Sequence, residues 1–330
     1  MLPRFVILSI ATALMCVGTS IAGDVAPLVA PQIPGTVSPE AQRALAKPPM
    51  PPPATATLEE RRRFFYDYQI NFAKVQMRKY PVTIESGVIA GVQVRTIKPA
   101  GSSRAVSGRI LIDLHGGGFL FDSGSLTENV PIAALTQTTV VAVLYRLAPE
   151  HPFPAAVDDV VTVYKEILKT YSASHIGLYG TSAGAILAAE TAMRLRKEGL
   201  PLPAALGFFS GSADLSQAGD SEYYFSVSDE HRTLPEFETP YVGAHDPKDP
   251  AMSPFYGDLR GLPPTLCITS TRDVLLSDTA LFHRALLRAG VDAKLTVFEA
   301  LPHAFWSYLD IPESDEAVGI MARFLLAAIK

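Results

Sequence analysis

The sequence predicts an α/β fold, a mostly parallel central sheet flanked by helices, and three observations carry that prediction. Short apolar runs of strand length alternate with longer helical patterns from residue 109 to the end of the chain. Gly180-Thr181-Ser182-Ala183-Gly184 stands where one such run turns into a helical pattern, and His115-Gly116-Gly117-Gly118 directly follows another. Reactive groups in an open α/β sheet gather beyond the carboxyl ends of its strands, so both motifs fall at one edge of the predicted sheet.

Taken in order, the chain opens with Met1-Leu2-Pro3-Arg4, an apolar stretch over 5–18 and Thr19-Ser20-Ile21-Ala22. These match the positive, apolar and small-residue regions of a secretory signal peptide over 1–22. The expectation is cleavage after Ala22 or Gly23 and a secreted or periplasmic mature protein, with an uncleaved membrane anchor as the alternative. The apolar run is short for a transmembrane span. Met15, in front of Cys16, is bulkier than a lipoprotein processing site takes. Residues 23–53 are dense in proline and alanine and read as an extended linker.

Residues 54–330 read as one folded domain. Thr57 and Glu60 stand in capping-box spacing, and Phe64, Phe65, Tyr68, Phe72 and Val75 recur at helical intervals, so a helix is predicted over 57–80. The segment 54–80 is a first lid element or, alternatively, a helix packed on the sheet edge. Arg61-Arg62-Arg63 at its start reads as a solvated face. Strands follow at 109–114, 175–179, 205–209, 264–269 and 293–298, and helices at 154–170, 183–196 and 279–289. Asp158 and Asp159 are adjacent on a helix and so do not face one site. They read as a charge complement at the helix start and a partner for Arg146 or its loop. The connection 211–257 is long for a plain loop and forms a second lid element. Its Tyr223, Tyr224, Phe225, Phe237 and Tyr241 either present an apolar surface to a ligand or form ordinary lid core.

A nucleophile elbow turns sharply from strand to helix, so the residues flanking the serine must lack bulk. Gly180 and Gly184 meet that need around Ser182. A serine hydroxyl is a poor nucleophile until a base takes its proton and a third group steadies the base. In the chain order serine, acid, histidine, the base belongs in a loop after the last strand. His303 meets this requirement, since Leu301-Pro302-His303 follows the strand at 293–298. Asp273 stands just beyond the strand at 264–269, and Asp278 is its rival, although Ser277 or Asp278 would also cap the helix at 279–289.

At these residues the chain resembles the bacterial hormone-sensitive-lipase-like (family IV) carboxylesterases of the α/β-hydrolase superfamily, over roughly residues 80 to 330. His115-Gly116-Gly117-Gly118-Phe119 is similar to the family's oxyanion loop, and Tyr145-Arg146-Leu147-Ala148-Pro149-Glu150-His151-Pro152-Phe153-Pro154-Ala155 to its structural signature. The resemblance implies an α/β-hydrolase fold with a small helical lid. It also implies Ser182 as nucleophile, Asp273 as acid and His303 as base, with the backbone N–H groups of Gly116, Gly117 and Ala183 as the oxyanion hole. His115 would orient the loop. Thr181 stands where many members carry aspartate in the elbow, and Leu144 where many carry aspartate before Tyr-Arg. Both departures alter hydrogen bonding around the elbow and Arg146. Together with Asp273-Val274-Leu275 and His303-Ala304-Phe305, the threonine elbow resembles a recognised subgroup.

The implied activity is hydrolysis of short- to medium-chain acyl esters through an acyl-enzyme. Amide, carbamate and lactone hydrolysis would use the same residues, and a non-catalytic ligand-binding protein on this fold is the third alternative. The expected partner is a small acyl ester, with no cofactor, no metal and, once the signal is removed, no stable membrane insertion. His231 and His245 have no cysteine or carboxylate at metal-ligand spacing. Losing Arg4 leaves 27 basic residues against 33 acidic ones, which argues against nucleic acid. Loss of Cys16 with the signal leaves Cys267 alone, so no intrachain disulfide can form, and its apolar strand setting reads as an inert buried thiol. Trp306, the only tryptophan, reads as packing behind the histidine loop.

Overall fold

In a computed structural model the described residues are 32–47, 52–53, 55–101, 108–225 and 239–330, and residues 33–330 form one compact unit. The expected signal peptide lies outside the described residues. Two helices come first, α1 (Pro39–Ala46) and α2 (Leu58–Gln76), then strands β1 (Val82–Ile89), β2 (Val92–Pro99) and β3 (Ile110–Leu114). Helix α3 (Asn129–Thr136), strand β4 (Val140–Val143), helix α4 (Ala155–Ile167), strand β5 (Ile176–Thr181), helix α5 (Ala183–Lys197) and strand β6 (Ala205–Phe209) complete the centre of the sheet. Short helices α6 (Asp220–Phe225) and α7 (Thr239–Val242) precede strand β7 (Thr265–Arg272), helix α8 (Leu276–Arg288), strand β8 (Ala293–Pro302) and helix α9 (Pro312–Ala328).

Among the described residues the sheet has the order β1-β2-β4-β3-β5-β6-β7-β8, with β1–β2 and β2–β4 antiparallel and every later pair parallel. A parallel sheet is covered on both faces, so its strands read as continuous apolar runs, and side-chain alternation sends neighbours to opposite layers. Ile112, Leu114 and Leu178 pack with Val160, Tyr164, Ile186 and Leu187 of α4 and α5. Leu111, Tyr179 and Phe209 pack instead with Val130 of α3 and Met321 and Leu325 of α9. Both layers are fully buried, and they hold the carboxyl ends of β3, β5, β6 and β7 in one row.

Three expectations are corrected here. Within the stretch read as linker, residues 39–46 form α1. Ser38 caps it by accepting from the Ala41 N–H, and Pro39 opens its first turn. Ser38 also donates from its N–H and hydroxyl to the Glu313 carboxylate of α9, and Ala41 is wholly buried. Proline-rich composition is thus overridden by a local start signal and a tertiary dock. The second correction concerns α8, which begins at Leu276, so Asp278 lies in its first turn and caps nothing. The third is Arg62, which is not part of a solvated face. Its guanidinium donates to the carbonyls of Leu120 and Ala148 and pairs with Glu150. Helix α2 itself starts on the expected capping box, with Thr57 and Glu60 bonding reciprocally.

Candidate active site

Strand β5 ends at Thr181 and α5 starts at Ala183, leaving Ser182 alone in the turn at φ 57°, ψ −124°. Few non-glycine residues adopt such a backbone, and it persists where the surroundings over-determine it. The Ser182 N–H donates to the Phe209 carbonyl at 2.9 Å, tying the elbow to the end of β6. Close packing explains the flanking glycines. A Cβ at Gly184 would lie 1.7 Å from the Leu114 carbonyl oxygen, and one at Gly180 would lie 2.4 Å from the backbone of Gly184.

The loop after β3 folds back over the elbow. A Cβ on Gly116 would stand 3.3 Å from the Ser182 Cβ, so the two segments touch. Gly117 adopts φ +116°, where a side chain would also collide with the Phe121 carbonyl at 1.9 Å. His115 is buried and donates from Nδ1 to the Gly116 carbonyl at 2.8 Å. Its ring stacks on Tyr145 at 4.2 Å, and the Tyr145 hydroxyl donates to the His115 carbonyl. Burial lowers the pKa of the imidazole, which favours the neutral, loop-orienting form. Helix α2 braces the same loop, with Phe65 stacked on Phe121 at 4.2 Å and Gln69 bonded to the Asp122 carbonyl and the Leu126 N–H.

Among the described residues the N–H groups of Gly117, Gly118 and Ala183 have no protein acceptor. The Gly116 N–H likewise makes no hydrogen bond to a protein acceptor among the described residues. The expected trio of Gly116, Gly117 and Ala183 is among these donors, with Gly118 beside it.

His303 and Asp273 meet just beyond the carboxyl ends of β8 and β7. His303 Nδ1 lies 2.7 Å from Asp273 Oδ1, which commits that nitrogen and leaves Nε2 as the ring's other proton-transfer atom. Asp273 is fully buried, and every oxygen lone pair that matters is engaged. The Leu275 N–H donates to Oδ1 at 2.9 Å, while the hydroxyls of Thr269, at 2.9 Å, and Ser210 donate to Oδ2. Burial pushes this carboxyl up, but the His303 charge and these hydrogen bonds outweigh it and hold the pKa below the usual aspartate value. Asp278, the rival, is held elsewhere. Its Oδ1 accepts from Ser212 at 3.2 Å, and it faces Glu222 of α6; burial and the Glu222 charge push its pKa up to about 8.

Several supporting residues escaped the sequence reading. Ser210 and Thr269 orient Asp273, and Glu222 of α6 lies close enough to His303 to interact with its charge. Position could have signalled the first two, since one lies just past β6 and the other near the carboxyl end of β7. Asp158 and Asp159 diverge as expected, toward Arg194 and Arg146 respectively. Trp306 is buried behind the histidine loop, its Nε1 3.4 Å from the Thr181 hydroxyl. Cys267 is buried, and burial raises its thiol pKa. Tyr241 is buried in the layer of α4 and α5, stacked on Phe119 and donating to Glu190 at 2.6 Å, whereas Tyr223 and Tyr224 are exposed. Phe237 and His231 lie outside the described residues. A cavity of about 460 Å³ lies between α2, Trp306 and α9, and neither Ser182 nor His303 lines it. Among the described residues no cluster of His, Cys, Asp and Glu could hold a metal, and no helix is long and apolar enough to cross a membrane.

Residues 111–307 match the alpha/beta hydrolase fold family, and the chain belongs to it. An acetyl-hydrolase of Streptomyces hygroscopicus is 35% identical over 235 residues, 67% of this chain and 76% of that protein. An esterase of Acinetobacter venetianus is 30% identical over 252 residues, 71% and 82% of the two chains. Among solved structures, esterase E25 superposes with a TM-score of 0.79 at 34% identity, covering 92% of this chain and 98% of that one. An esterase from the bacterial hormone-sensitive lipase family does so at 0.74 and 29% identity, covering 89% and 99%. Within the hydrolases, then, this chain is a bacterial hormone-sensitive-lipase-like (family IV) carboxylesterase.

Proposed function

We propose that the protein hydrolyses short- to medium-chain acyl esters with Ser182 as nucleophile, His303 as general base and Asp273 as the acid that orients it. The observation that carries this is the His303–Asp273 bond of 2.7 Å just past β7 and β8, in the same sheet whose β5 ends at a serine held at positive φ. His303 Nε2 takes the Ser182 proton as Oγ attacks the ester carbonyl, and Asp273 stabilises the imidazolium. The N–H groups of Gly116 and Gly117, with Gly118 beside them, and of Ala183 receive the charge that develops on the carbonyl oxygen. The alcohol leaves with the proton from His303. Water then attacks the acyl-enzyme by the same steps, releasing the acid and restoring Ser182.

The test is hydrolysis of p-nitrophenyl esters of two to twelve acyl carbons by the wild type and Ser182→Ala. Activity that peaks at short chains and is lost in the variant supports the assignment. A folded wild type inactive on every ester moves the assignment to amides, carbamates or lactones, or to ligand binding. The leader over 1–22 is proposed to direct secretion, and the mature amino terminus, read by mass spectrometry of secreted or periplasmic protein, tests it.

A further inference from the structure

One face of α2 runs along the loop that follows β3. Arg62 donates to the Leu120 carbonyl at 2.7 Å, Phe65 stacks on Phe121 at 4.2 Å, and Gln76 donates to the Thr127 carbonyl at 2.9 Å. Gln69 lies between them and is wholly buried. Its Nε2 donates to the Asp122 carbonyl at 3.1 Å, and its Oε1 accepts from the Leu126 N–H at 3.2 Å and the Ser125 hydroxyl at 3.5 Å. Successive steps of three, four and seven residues put these four side chains on one side of the helix. A carbonyl on one side and an N–H on the other fix which way the Gln69 amide points.

The segment gripped in this way holds the glycines from behind. Leu120 and Phe121 donate their N–H groups to the Gly117 carbonyl at 3.0 and 3.2 Å, and Ser123 donates to the Gly116 carbonyl at 3.3 Å. A trans peptide is planar, with its C=O and N–H pointing in opposite directions. The Gly116 carbonyl shares its plane with the Gly117 N–H, and the Gly117 carbonyl shares its plane with the Gly118 N–H. Bonds made to these two carbonyls therefore set the directions of the two N–H groups. Leu120 and Phe121 are held by Arg62 and Phe65, and Ser123 stands between Asp122 and Ser125, both bonded by Gln69.

We propose that Gln69 is a positioning residue for the oxyanion donors: from α2 it fixes Asp122, Ser125 and Leu126, and through the segment 120–123 it fixes the peptide planes that carry the Gly117 and Gly118 N–H groups. The inference rests on the assignment of Ser182 and its oxyanion loop made above. Helix α2 then acts on the chemical step as well as on stability. An amide suits the position, because an apolar side chain would leave the Asp122 carbonyl and the Leu126 N–H without these partners and the loop would shift to find others.

The experiment measures kcat and KM for p-nitrophenyl butyrate and Ki for butyl trifluoromethyl ketone in the wild type, Gln69→Ala, Gln69→Met and Tyr80→Phe, with thermal melting and Ser182→Ala alongside. The ketone carbon takes the serine oxygen while the serine proton passes to His303, so the adduct sets an oxyanion against the same donors as the ester does. Displaced donors cost about 10- to 100-fold in rate. Both Gln69 variants should lose kcat on that scale with KM nearly unchanged, and the ketone Ki should rise by the factor by which kcat/KM falls. Methionine fills the space without the hydrogen bonds, so it should melt above the alanine variant yet be no faster. Tyr80→Phe removes a 2.6 Å bond to Asp315 of α9 and should melt lower than the wild type at unchanged kcat. Wild-type kcat in either folded Gln69 variant overturns the proposal. So does a loss carried by KM, a ketone Ki that stays at the wild-type value, or an equal fall of kcat in Tyr80→Phe. Should neither Gln69 variant fold, Gln69→Glu, which keeps the acceptor and loses the donor, decides by the same kcat and Ki readings. Full activity in Ser182→Ala would instead sink the underlying catalytic assignment, whatever the Gln69 variants do.

Discussion

Asp273→Asn tests the catalytic acid quantitatively, because the two Asp273 oxygens have partners of different kinds. One obligate donor, the Leu275 N–H, meets Oδ1 together with His303 Nδ1. Two rotatable hydroxyls, of Ser210 and Thr269, converge on Oδ2. An asparagine therefore places its oxygen toward Leu275 and His303 and its NH2 toward hydroxyls that turn to accept it. The imidazole keeps its tautomer and loses only the charge opposite the imidazolium. Unit charges about 4 Å apart attract by about 4 kcal/mol at an effective dielectric near 20. The His303 side chain is 29% exposed, so screening leaves about 3 kcal/mol, or about 10²-fold in kcat. Steady-state kcat on p-nitrophenyl butyrate measures it. A fall of about 10⁴ or more is the mark of a wrong tautomer and would refute the hydroxyl-rotation argument. A fall below about tenfold would remove Asp273 as the acid. The linkage sign follows from the depressed carboxyl. Its stability contribution is full above the usual aspartate pKa and is lost as pH falls through the lower folded value. The wild-type melting temperature should thus drop on acidification over that interval, and the drop should be smaller in the asparagine variant.

Two further outcomes are expected from the same geometry. Ser182→Gly should be as inactive as Ser182→Ala yet melt higher, since glycine relieves the φ 57° turn while alanine retains it, a difference of about 1–2 kcal/mol. Equal melting temperatures would mean that the elbow stores no strain. Arg62→Ala should lose about 2 kcal/mol in urea unfolding, chiefly through the Leu120 and Ala148 carbonyls it leaves unbonded, because the Glu150 pair is partly exposed and contributes little. Arg62→Lys should recover only part of this, having no planar fork to span three acceptors.

Wherever one strong local signal governed a segment, the sequence was readable. The strands at 109–114 and 205–209 appear as β3 and β6 within a residue, and Thr57 with Glu60 forms the capping box its spacing specifies. Gly180 and Gly184 were legible as small residues around a nucleophile, and the structure supplies the reason in the Leu114 carbonyl. Errors arose where a distant group overrode the local pattern. Proline content hid α1, which depends on Glu313 of α9, and a charged triplet hid Arg62, whose acceptors lie in loops far along the chain. Asp278 looked like a cap because its burial against Ser212 has no trace in neighbouring residues.

By itself the sequence determined the α/β alternation, the elbow around Ser182, the glycine loop after β3 and the family that these motifs mark. Each is encoded within a few consecutive residues, through hydrophobic period or absence of a side chain. Tertiary structure alone decided that His303 pairs with Asp273 rather than Asp278, and that Ser210 and Thr269 donate to the second oxygen of that carboxylate. Those choices depend on which strand ends lie side by side and how deeply each carboxyl is buried. Hydrogen bonding and desolvation act between residues tens of positions apart, and no local pattern carries that information.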